Sequence, residues 1–230
     1  MKTKDRILIT ARTLFNQHGY GNVKIADIAE SVGISSGNIW YHFKNRKDIH
    51  AEITRQFISE AASRMLIRPS SGSAVYEFAE LSYVLAQEVS KYRFLYRDQA
   101  EYGVHTEQTQ TALPRLHKGT LNQYIAFITK IREQGEIAVK KKEIHALAEN
   151  LCILLRYSPE FLRESTLSFG TEHEDENHSF GLQCFILERF MTPNASEQFR
   201  STLFGLLENP HRPVALPASE VNLQPSCELP

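Results

Sequence analysis

The chain has few cysteines and no long apolar run, which excludes two broad classes of protein. Its 230 residues contain no apolar segment near the roughly 18 residues that a membrane-spanning helix needs, and residues 1–20 carry charges where a signal peptide is apolar. Cys152, Cys184 and Cys227 are far apart and form no CxxC pair, so neither a disulfide framework nor a zinc ribbon is indicated. We therefore expect a soluble, cytoplasmic protein that makes no membrane contact and keeps its thiols reduced.

Several motifs of catalysis and cofactor binding are also missing. The sequence has no HExxH zinc motif, no P-loop and no dinucleotide-binding fingerprint. His173 and His178 are five residues apart in an acidic stretch, whereas the histidines of a helical zinc pair are four apart. We interpret this stretch, residues 171–178, as a solvated exposed loop. We expect no enzymatic activity, no bound metal and no cofactor.

Basic and acidic residues nearly balance over the whole chain, but net positive charge is concentrated at the N-terminus. The formal net charge of the chain is −1, yet residues 1–50 carry eight Lys and Arg against four Asp and Glu, a net of +4. The remaining residues carry 18 basic against 23 acidic side chains, a net of −5. A basic end on an acidic body suits a protein that binds phosphates at one end only.

Apolar residues at helical spacing predict an all-α protein. The first predicted helix runs from Lys4 to His18 and is ended by Gly19. A long helix that starts at Asn45 is predicted to connect the N-terminal part with the body. Pro114 is expected in the first turn of a later helix, and Pro159 is expected to kink or divide another.

The stretch from Val23 to Lys47 predicts two short helices that meet at a tight turn. The first has one apolar face and is followed by Gly33, which can take the left-handed conformation of a helix C-terminus. Ser35 or Ser36 is expected to cap the second helix, where only Ile39 and Phe43 fall on the core side. The side chains left for the outer side are small, polar or aromatic: Ser36, Gly37, Asn38, Trp40, Tyr41 and His42. Such a pair of helices is suited to reading DNA.

The run DIAESVGISSGNIWYHFKNRKDI resembles the N-terminal helix-turn-helix of the TetR family of bacterial transcription regulators. The residues that agree in order and spacing are Asp27, Ile28, Ala29, Gly33, Ser35, Gly37, Tyr41, His42, Phe43, Asn45 and Lys47. The resemblance implies a three-helix helix-turn-helix DNA-binding domain over residues 1–47, followed by a larger helical ligand-binding and dimerisation domain over residues 48–208. Residues 209–230 contain five prolines and are predicted to form a tail without regular helix.

The sequence departs from this family at the start of the second helix. Relatives commonly place a Ser or Thr pair at the positions of Val23 and Lys24, where a hydroxyl caps the helix and reaches a phosphate. Valine can do neither, whereas Lys24 can supply a positive charge to the phosphate. We expect the capping role to pass to Asn22.

DNA contacts are expected from the second helix of the pair and from its basic surroundings. The residues expected to face bases in the major groove are Ser36, Gly37, Asn38 and Tyr41. The residues expected to hold phosphates are Lys24, Trp40, His42, Lys44, Arg46 and Lys47. One such helix covers only a few base pairs, so we expect a two-fold dimer on palindromic double-stranded DNA.

The resemblance also implies a small-molecule pocket among the middle helices, which are rich in aromatic residues. The candidates for lining it are Phe78, Tyr83, Phe94, Arg97, Glu101, Tyr124 and Phe127. For each aromatic residue, burial in an ordinary core is the alternative. We expect an effector that is largely apolar or aromatic.

A dimer interface is expected on the two late apolar helices, which pair with those of the partner in relatives. The candidates are Leu147, Leu151, Leu154, Leu155, Phe185 and Leu187. The alternative is that these residues belong only to the core of one chain. The predicted function is a homodimeric repressor that an effector releases from its operator. Two rivals are an effector-independent DNA-binding protein of nucleoid or division type and an enzyme with a fused DNA-binding head.

Overall fold

The computed structural model describes residues 1–98, 107–164 and 172–209 of the chain. Within these ranges the protein is all-α, as predicted, and its strand-like pairing is confined to one bridge between Ile137 and Met191. The α-helices are α1 (Thr3–His18), α2 (Ile25–Val32), α3 (Ser36–His42), α4 (Arg46–Arg64), α5 (Ala74–Lys91), α6 (Arg93–Arg97), α7 (Glu107–Glu133), α8 (Ile144–Glu164), α9 (Glu172–Leu187) and α10 (Pro193–Glu208). A 3₁₀ turn, Lys141–Glu143, precedes α8.

Helices α1 to α3 form the N-terminal head, and local signals explain where each helix stops. Gly33 has a φ of +75°, and the N–H of Ile34 donates to the carbonyl of Ala29 at 3.0 Å, which closes the end of α2. Ser35 is the cap of α3, because its Oγ accepts from the N–H of Asn38 at 3.3 Å. The turn between α2 and α3 therefore has both predicted features, a left-handed glycine and a serine cap.

Helix α4 connects the head to the body. Asn45 caps it, since its Oδ1 accepts from the N–H of Asp48 at 3.0 Å, which confirms the predicted start. Its 19 residues span about 28 Å at 1.5 Å per residue. Ile49 and Ile53 pack in the same buried cluster as α1 to α3, so the core of the head continues beyond residue 47.

The body surrounds a second core built from the long helices. Helix α5 packs along α10, while α8 packs against α7 and α9. Phe78 on α5 contacts the rings of Tyr124, Phe127 and Phe199, with centroids 5.2, 5.9 and 5.6 Å away. The body is therefore held by aromatic packing at its centre.

Two local predictions were wrong, and one was wrong in part. Pro114 is the eighth residue of α7, not part of its first turn. Pro159 lies inside α8 and does not divide it, whereas the predicted kink stays a prediction. A proline costs about 3 kcal/mol inside a helix, and packing of the helix's apolar face against its neighbours compensates for it. The acidic stretch 172–178 begins α9 and is not a loop, because acidic sequences are favoured in the first turns of a helix. The predicted tail from residue 210 onward lies outside the described residues.

Candidate nucleic-acid interface and effector cavity

Helix α3 presents an aromatic and polar face to solvent. Ile39 and Phe43 are buried, as predicted, while Trp40 is 61% exposed and Tyr41 is 86% exposed. Gly37 and Asn38 are also exposed, and Ser36 is half-buried. Large exposed aromatic side chains on a short helix need an external partner. The four residues predicted to face bases therefore lie at the free surface of the head, and their roles stay predictions.

The basic residues around α3 divide into two groups. Lys24, Lys44 and Lys47 are exposed and available to phosphates, and His42 is half-buried against the ring of Tyr41. Trp40 is also exposed, although it has no charge. Arg46 forms the second group, because its side chain is bound to carbonyl oxygens of the head.

Arg46 forms hydrogen bonds within the head. This finding corrects its predicted phosphate role. Its Nη1 donates to the carbonyl oxygens of Tyr20, Gly21 and Val23 at 2.9, 3.0 and 2.6 Å. Its guanidinium also lies 4.3 Å from the centroid of the Tyr20 ring. These contacts tie the segment between α1 and α2 to the start of α4, because three carbonyls outside any helix need a donor.

The cap of α2 is also assigned differently from the prediction. Asn22 does not cap α2: its Nδ2 donates to the carbonyl of His18 at 2.9 Å, at the end of α1. The cap position is Lys24, whose N–H donates to Asp27 Oδ2 at 2.7 Å. Val23 is buried beneath the turn. The Asp27 carboxylate thus supplies the half of a capping box that binds the cap N–H, and Lys24 keeps its side chain in solvent.

Residues 33–37 match the letters GxSxG of a nucleophile elbow, but their geometry is different. That motif needs a strand before the serine and a helix after it. Here Gly33 ends a helix and Ser35 caps the next one through its Oγ. The serine hydroxyl is used in a helix cap, so the letters do not mark a nucleophile.

A cavity of about 200 Å³ lies between α5, α6, α8 and α9. Its walls combine apolar side chains with a group of charged ones. The lining residues are Ala86, Val89, Ser90, Arg93, Tyr96, Arg97, Leu155, Arg156, Tyr157, Pro159, Glu160, Glu164, Ser179 and Gln183. Of the predicted pocket residues that the structure describes, only Arg97 is among them.

The other predicted pocket residues are in the two cores, which corrects that part of the prediction. Phe78, Tyr124 and Phe127 pack against one another in the body, and Tyr83 is buried in the same cluster. Phe94 packs in the head core, with its ring centroid 5.2 Å from that of Phe15. Glu101 lies outside the described residues. These aromatic residues at helical spacing belong to the hydrophobic core, which was the alternative interpretation of the pattern.

Arg156 and Gln183 were missed by the sequence analysis and give the cavity its polar character. The Nη1 of Arg156 lies 2.5 Å from Nε2 of His117, and its guanidinium lies 5.3 and 5.1 Å from the ring centroids of Tyr96 and Tyr157. Burial, together with the Arg156 charge, lowers the pKa of His117 to about 4. The imidazole is therefore neutral at pH 7 and can accept a hydrogen bond. The available signal in the sequence was an arginine directly after the apolar run of residues 151–155.

Arg97 lines the cavity and also contacts the head. Its Nη1 and Nη2 donate to the carbonyls of Asn16 and Phe15, both at 2.9 Å, at the C-terminal end of α1. It pairs with Asp98 at 2.5 Å, and Asp98 Oδ2 accepts from the N–H of Tyr20 at 2.8 Å. A guanidinium at a helix C-terminus binds the last carbonyls and interacts favourably with the negative end of the helix dipole. One side chain thus connects the cavity to the first helix of the head.

The predicted interface residues lie on both sides of the late helices. Leu147, Leu151, Leu155 and Leu187 are buried in the body core, so they cannot face a partner, and Leu154 is half-buried. Phe185 is 57% exposed. Three further residues on α8, at intervals of four, are large, apolar and exposed: Ile153, Tyr157 and Phe161. The exposed apolar face is therefore displaced from the predicted one by part of a helical turn.

In the part of the chain that the structure describes, no helix combines the length and apolar character that crossing a bilayer demands. The same residues contain no group of three or more His, Cys, Asp or Glu side chains that could hold a metal ion.

The fold and the exposed face of α3 define a helix-turn-helix DNA-binding protein with a helical body. Residues 7–53 match the family described as "Bacterial regulatory proteins, tetR family", and residues 56–199 match "Bacterial transcriptional repressor" under the family name TetR. The chain belongs to the TetR family of bacterial transcription regulators, as its helix-turn-helix had indicated.

Curated relatives are similar only in the head. The IcaR negative regulator of the biofilm operon icaADBC in Staphylococcus aureus is 41% identical over 49 residues, 21% of this chain and 26% of the relative. The repressor KstR2 of Mycolicibacterium smegmatis is 36% identical over 55 residues, 24% of this chain and 27% of the relative. The matches thus span about a quarter of each relative's length.

Solved structures extend the similarity to the body. A TetR-family regulator from Marinobacter aquaeolei VT8 superposes with a TM-score of 0.72 over 90% of this chain and 98% of that one. The sequence identity is 22%, so this likeness concerns the fold alone.

Proposed function

We propose that this regulator is a repressor which binds a palindromic operator as a homodimer and is released by a small molecule bound in the body. The exposed aromatic and polar face of α3 carries the DNA-binding part of the proposal. In it, residues 1–47 read DNA and residues 48–208 bind the effector and the partner. The groups directed at bases are Ser36, Gly37, Asn38 and Tyr41, with Lys24, Lys44 and Lys47 on phosphates.

The dimer is proposed to form through the exposed apolar face of α8 and α9. Ile153, Tyr157 and Phe161 follow one line along α8, and Phe185 lies on the helix packed beside it. Such a face is the pattern by which two chains bury apolar surface about a two-fold axis. Two heads then contact two half-sites of one operator.

Effector release is proposed to act through Arg97. A ligand in the cavity contacts the wall to which Arg97 belongs, and the same guanidinium holds the carbonyls of Phe15 and Asn16 in the head. Any shift of Arg97 therefore changes how α1 is held. To act as an effector, the ligand must bind the two head positions with different affinity.

The structure of the body bears on the two rival functions, an effector-independent DNA-binding protein and an enzyme with a fused DNA-binding head. An effector-independent DNA-binding protein needs no cavity, whereas this body has one that contacts the head through Arg97. An enzyme needs titratable groups arranged around a reacting centre. The two glutamates around the cavity lie beside arginines, and Arg97 is engaged with carbonyls and with Asp98, so the binding function is favoured.

The operator is tested by selecting bound sequences from a random pool of duplex DNA with the purified full-length protein. We expect an enriched inverted repeat whose half-site centres lie about 34–36 Å apart, or a multiple of that distance. The Tyr41→Ala variant is the control and should enrich the repeat poorly. Enrichment of no sequence, or of single unrepeated sites, would contradict the dimeric repressor.

A further inference from the structure

Arg156 is a half-buried cation that lacks an acidic partner. Among the described residues, no carboxylate lies within 4 Å of its guanidinium nitrogens, and its Nε is buried without a hydrogen-bond partner. Its neighbours are the neutral His117 and the rings of Tyr96 and Tyr157. Withdrawing a charge from water without an opposite charge is costly, so such a group favours an anion that can reach it.

The acidic residues of the cavity are engaged with other arginines. Glu160 lies 3.8 Å from Nε of Arg93 through Oε1 and 2.7 Å from Nε of Arg163 through Oε2. Glu164 lies 3.3 Å from Arg163. Each acidic side chain on the cavity wall therefore has an arginine other than Arg156 within 4 Å, although Oε1 of Glu160 is buried without a hydrogen bond. Among the described residues, two aromatic rings but no carboxylate offset the charge of Arg156.

Gln183 adds a second unused donor to the cavity. The residue is 1% exposed, and its Nε2 has no hydrogen-bond partner among the described residues. A buried amide N–H₂ without an acceptor costs about 1–3 kcal/mol. Gln183 lines the same cavity as Arg156 and comes from the facing helix α9. An oxygen-bearing anion would satisfy both groups.

The rest of the wall sets the size and character of the ligand. Ala86, Val89, Leu155 and Pro159 are apolar, so an aliphatic or aromatic body is favoured beside the charged end. The volume of about 200 Å³ is below the range of roughly 300–1,000 Å³ that is typical of sites for drug-sized molecules.

We propose that the cavity binds a small organic acid, with its carboxylate on the Arg156 guanidinium and its apolar body against α5 and α8. The role of this acid as the effector rests on the proposed function. The proposal adds an anionic group to the apolar or aromatic effector that the sequence predicted. A carboxylate adds an opposite charge and can accept two parallel hydrogen bonds from the guanidinium, which a neutral amide cannot do, so the acid is selected over its uncharged isostere.

Matched pairs of small probes test this directly on the full-length protein. Benzoate with benzamide and hexanoate with hexanamide have nearly equal shape and differ in charge. Titration calorimetry at pH 7.5 should show at least one carboxylate binding roughly tenfold or more tightly than its amide. Equal affinity within a pair, or no binding by any of the carboxylates, would overturn the proposal.

Variants assign the preference to Arg156. Arg156→Met keeps the length of the side chain and should abolish the difference between carboxylate and amide, whereas Arg115→Met, at an exposed site on α7, should keep it. If Arg156→Met does not fold, Arg156→Lys should retain most of the preference and Gln183→Glu should weaken carboxylate binding. A preference that survives Arg156→Met, or that is unaltered by Gln183→Glu, contradicts the assignment.

A separate DNA measurement distinguishes this proposal from the repressor function. Fluorescence anisotropy with the selected operator is recorded with and without the carboxylate. If the carboxylate binds in an Arg156-dependent way but DNA affinity is unchanged, the acid site is supported and the role of the acid as the effector is rejected. Specific operator binding without any acid binding would keep the DNA-binding function and reject the acid site.

Discussion

Arg64 forms a bidentate ion pair with Glu88 inside the body, with Nε to Oε2 at 2.9 Å and Nη2 to Oε1 at 3.1 Å. Its Nη1 donates to Gln123 Oε1 at 2.6 Å, and the Gln123 amide donates back to the carbonyls of Arg64 and Ile67. The C-terminal end of α4 is thereby tied to α5 and α7. Helix α4 thus has one end in the head core and the other fixed in the body.

Glu88→Ala is expected to destabilise the protein strongly, because it leaves the Arg64 guanidinium buried and unpaired. The expected loss is about 3–5 kcal/mol of unfolding free energy, or roughly 6–20 °C in melting temperature. Urea and thermal denaturation measure both quantities. The control is Arg55→Gln, which removes an exposed pair with Glu52 on α4 and should cost about 1 kcal/mol or less. Equal losses in the two variants would contradict the buried network.

Arg46→Ala is expected to loosen the head, since three carbonyl oxygens and the Tyr20 ring lose their common partner. We expect a loss of about 2–3 kcal/mol in stability, the scale of hydrogen bonds to a charged group. Chemical denaturation followed by circular dichroism measures it. Lys47→Ala is the matched control and should unfold like the parent protein. An unaltered Arg46→Ala midpoint would restore the phosphate role of that residue.

Tyr41→Ala and Lys47→Ala should weaken DNA binding in different ways. The first removes a side chain directed at base edges, so discrimination between operator and random DNA should fall. The second removes a phosphate contact, so all DNA should bind more weakly and the salt dependence should decrease by about one unit of slope. Gel shifts over a range of salt concentrations separate the two effects. If neither variant alters the shifts, α3 is not the reading helix.

Phe161→Glu and Phe185→Glu are expected to produce monomers, because each places a charge on the apolar face proposed to pair. Light scattering at micromolar concentration should give the mass of one chain, and operator affinity should fall with it. Leu66→Glu, at an exposed apolar site at the end of α4, is the control and should stay dimeric. A dimeric mass for both interface variants, or a monomeric mass for the parent, would reject this interface.

His117 should make the protein less stable in acid. Burial and the Arg156 charge lower its pKa from 6.5 to about 4, so the unfolded chain binds a proton at this residue more readily than the folded one. The contribution of neutral His117 to the free energy of unfolding is complete above pH 6.5 and is lost as the pH falls through 4. Comparing melting temperatures of the parent and His117→Gln from pH 7 to pH 4 should show a smaller decrease in the variant. Parallel curves would mean that His117 does not titrate in this window.

The head was predicted more completely than the body because its signals are local. The apolar spacing of α2, the stop at Gly33 and the cap at Asn45 involve residues within one or two turns of each other. Even there, Arg46 was misassigned. Its acceptors, including Val23, are more than 20 residues earlier in the chain, so the spacing of basic residues says nothing about them.

The cavity was out of reach of sequence reasoning for the same reason. Arg97 contacts Phe15 across 82 positions, and Arg156 contacts His117 across 39. The aromatic stripe around Phe78 and Tyr124 was visible in the sequence, but whether such a stripe lines a pocket or fills a core depends on what packs against it.

The sequence by itself determined the all-α class, the helix-turn-helix and the family, because helix periodicity, caps and turns are set by neighbours along the chain. Only the tertiary structure decided which cations remain for ligands. Arg46 and Arg64 are bound to partners inside the protein. Arg97 connects the cavity to the head, and Arg156 has no carboxylate partner among the described residues. These roles depend on helices distant in sequence that pack together and withdraw charged groups from water.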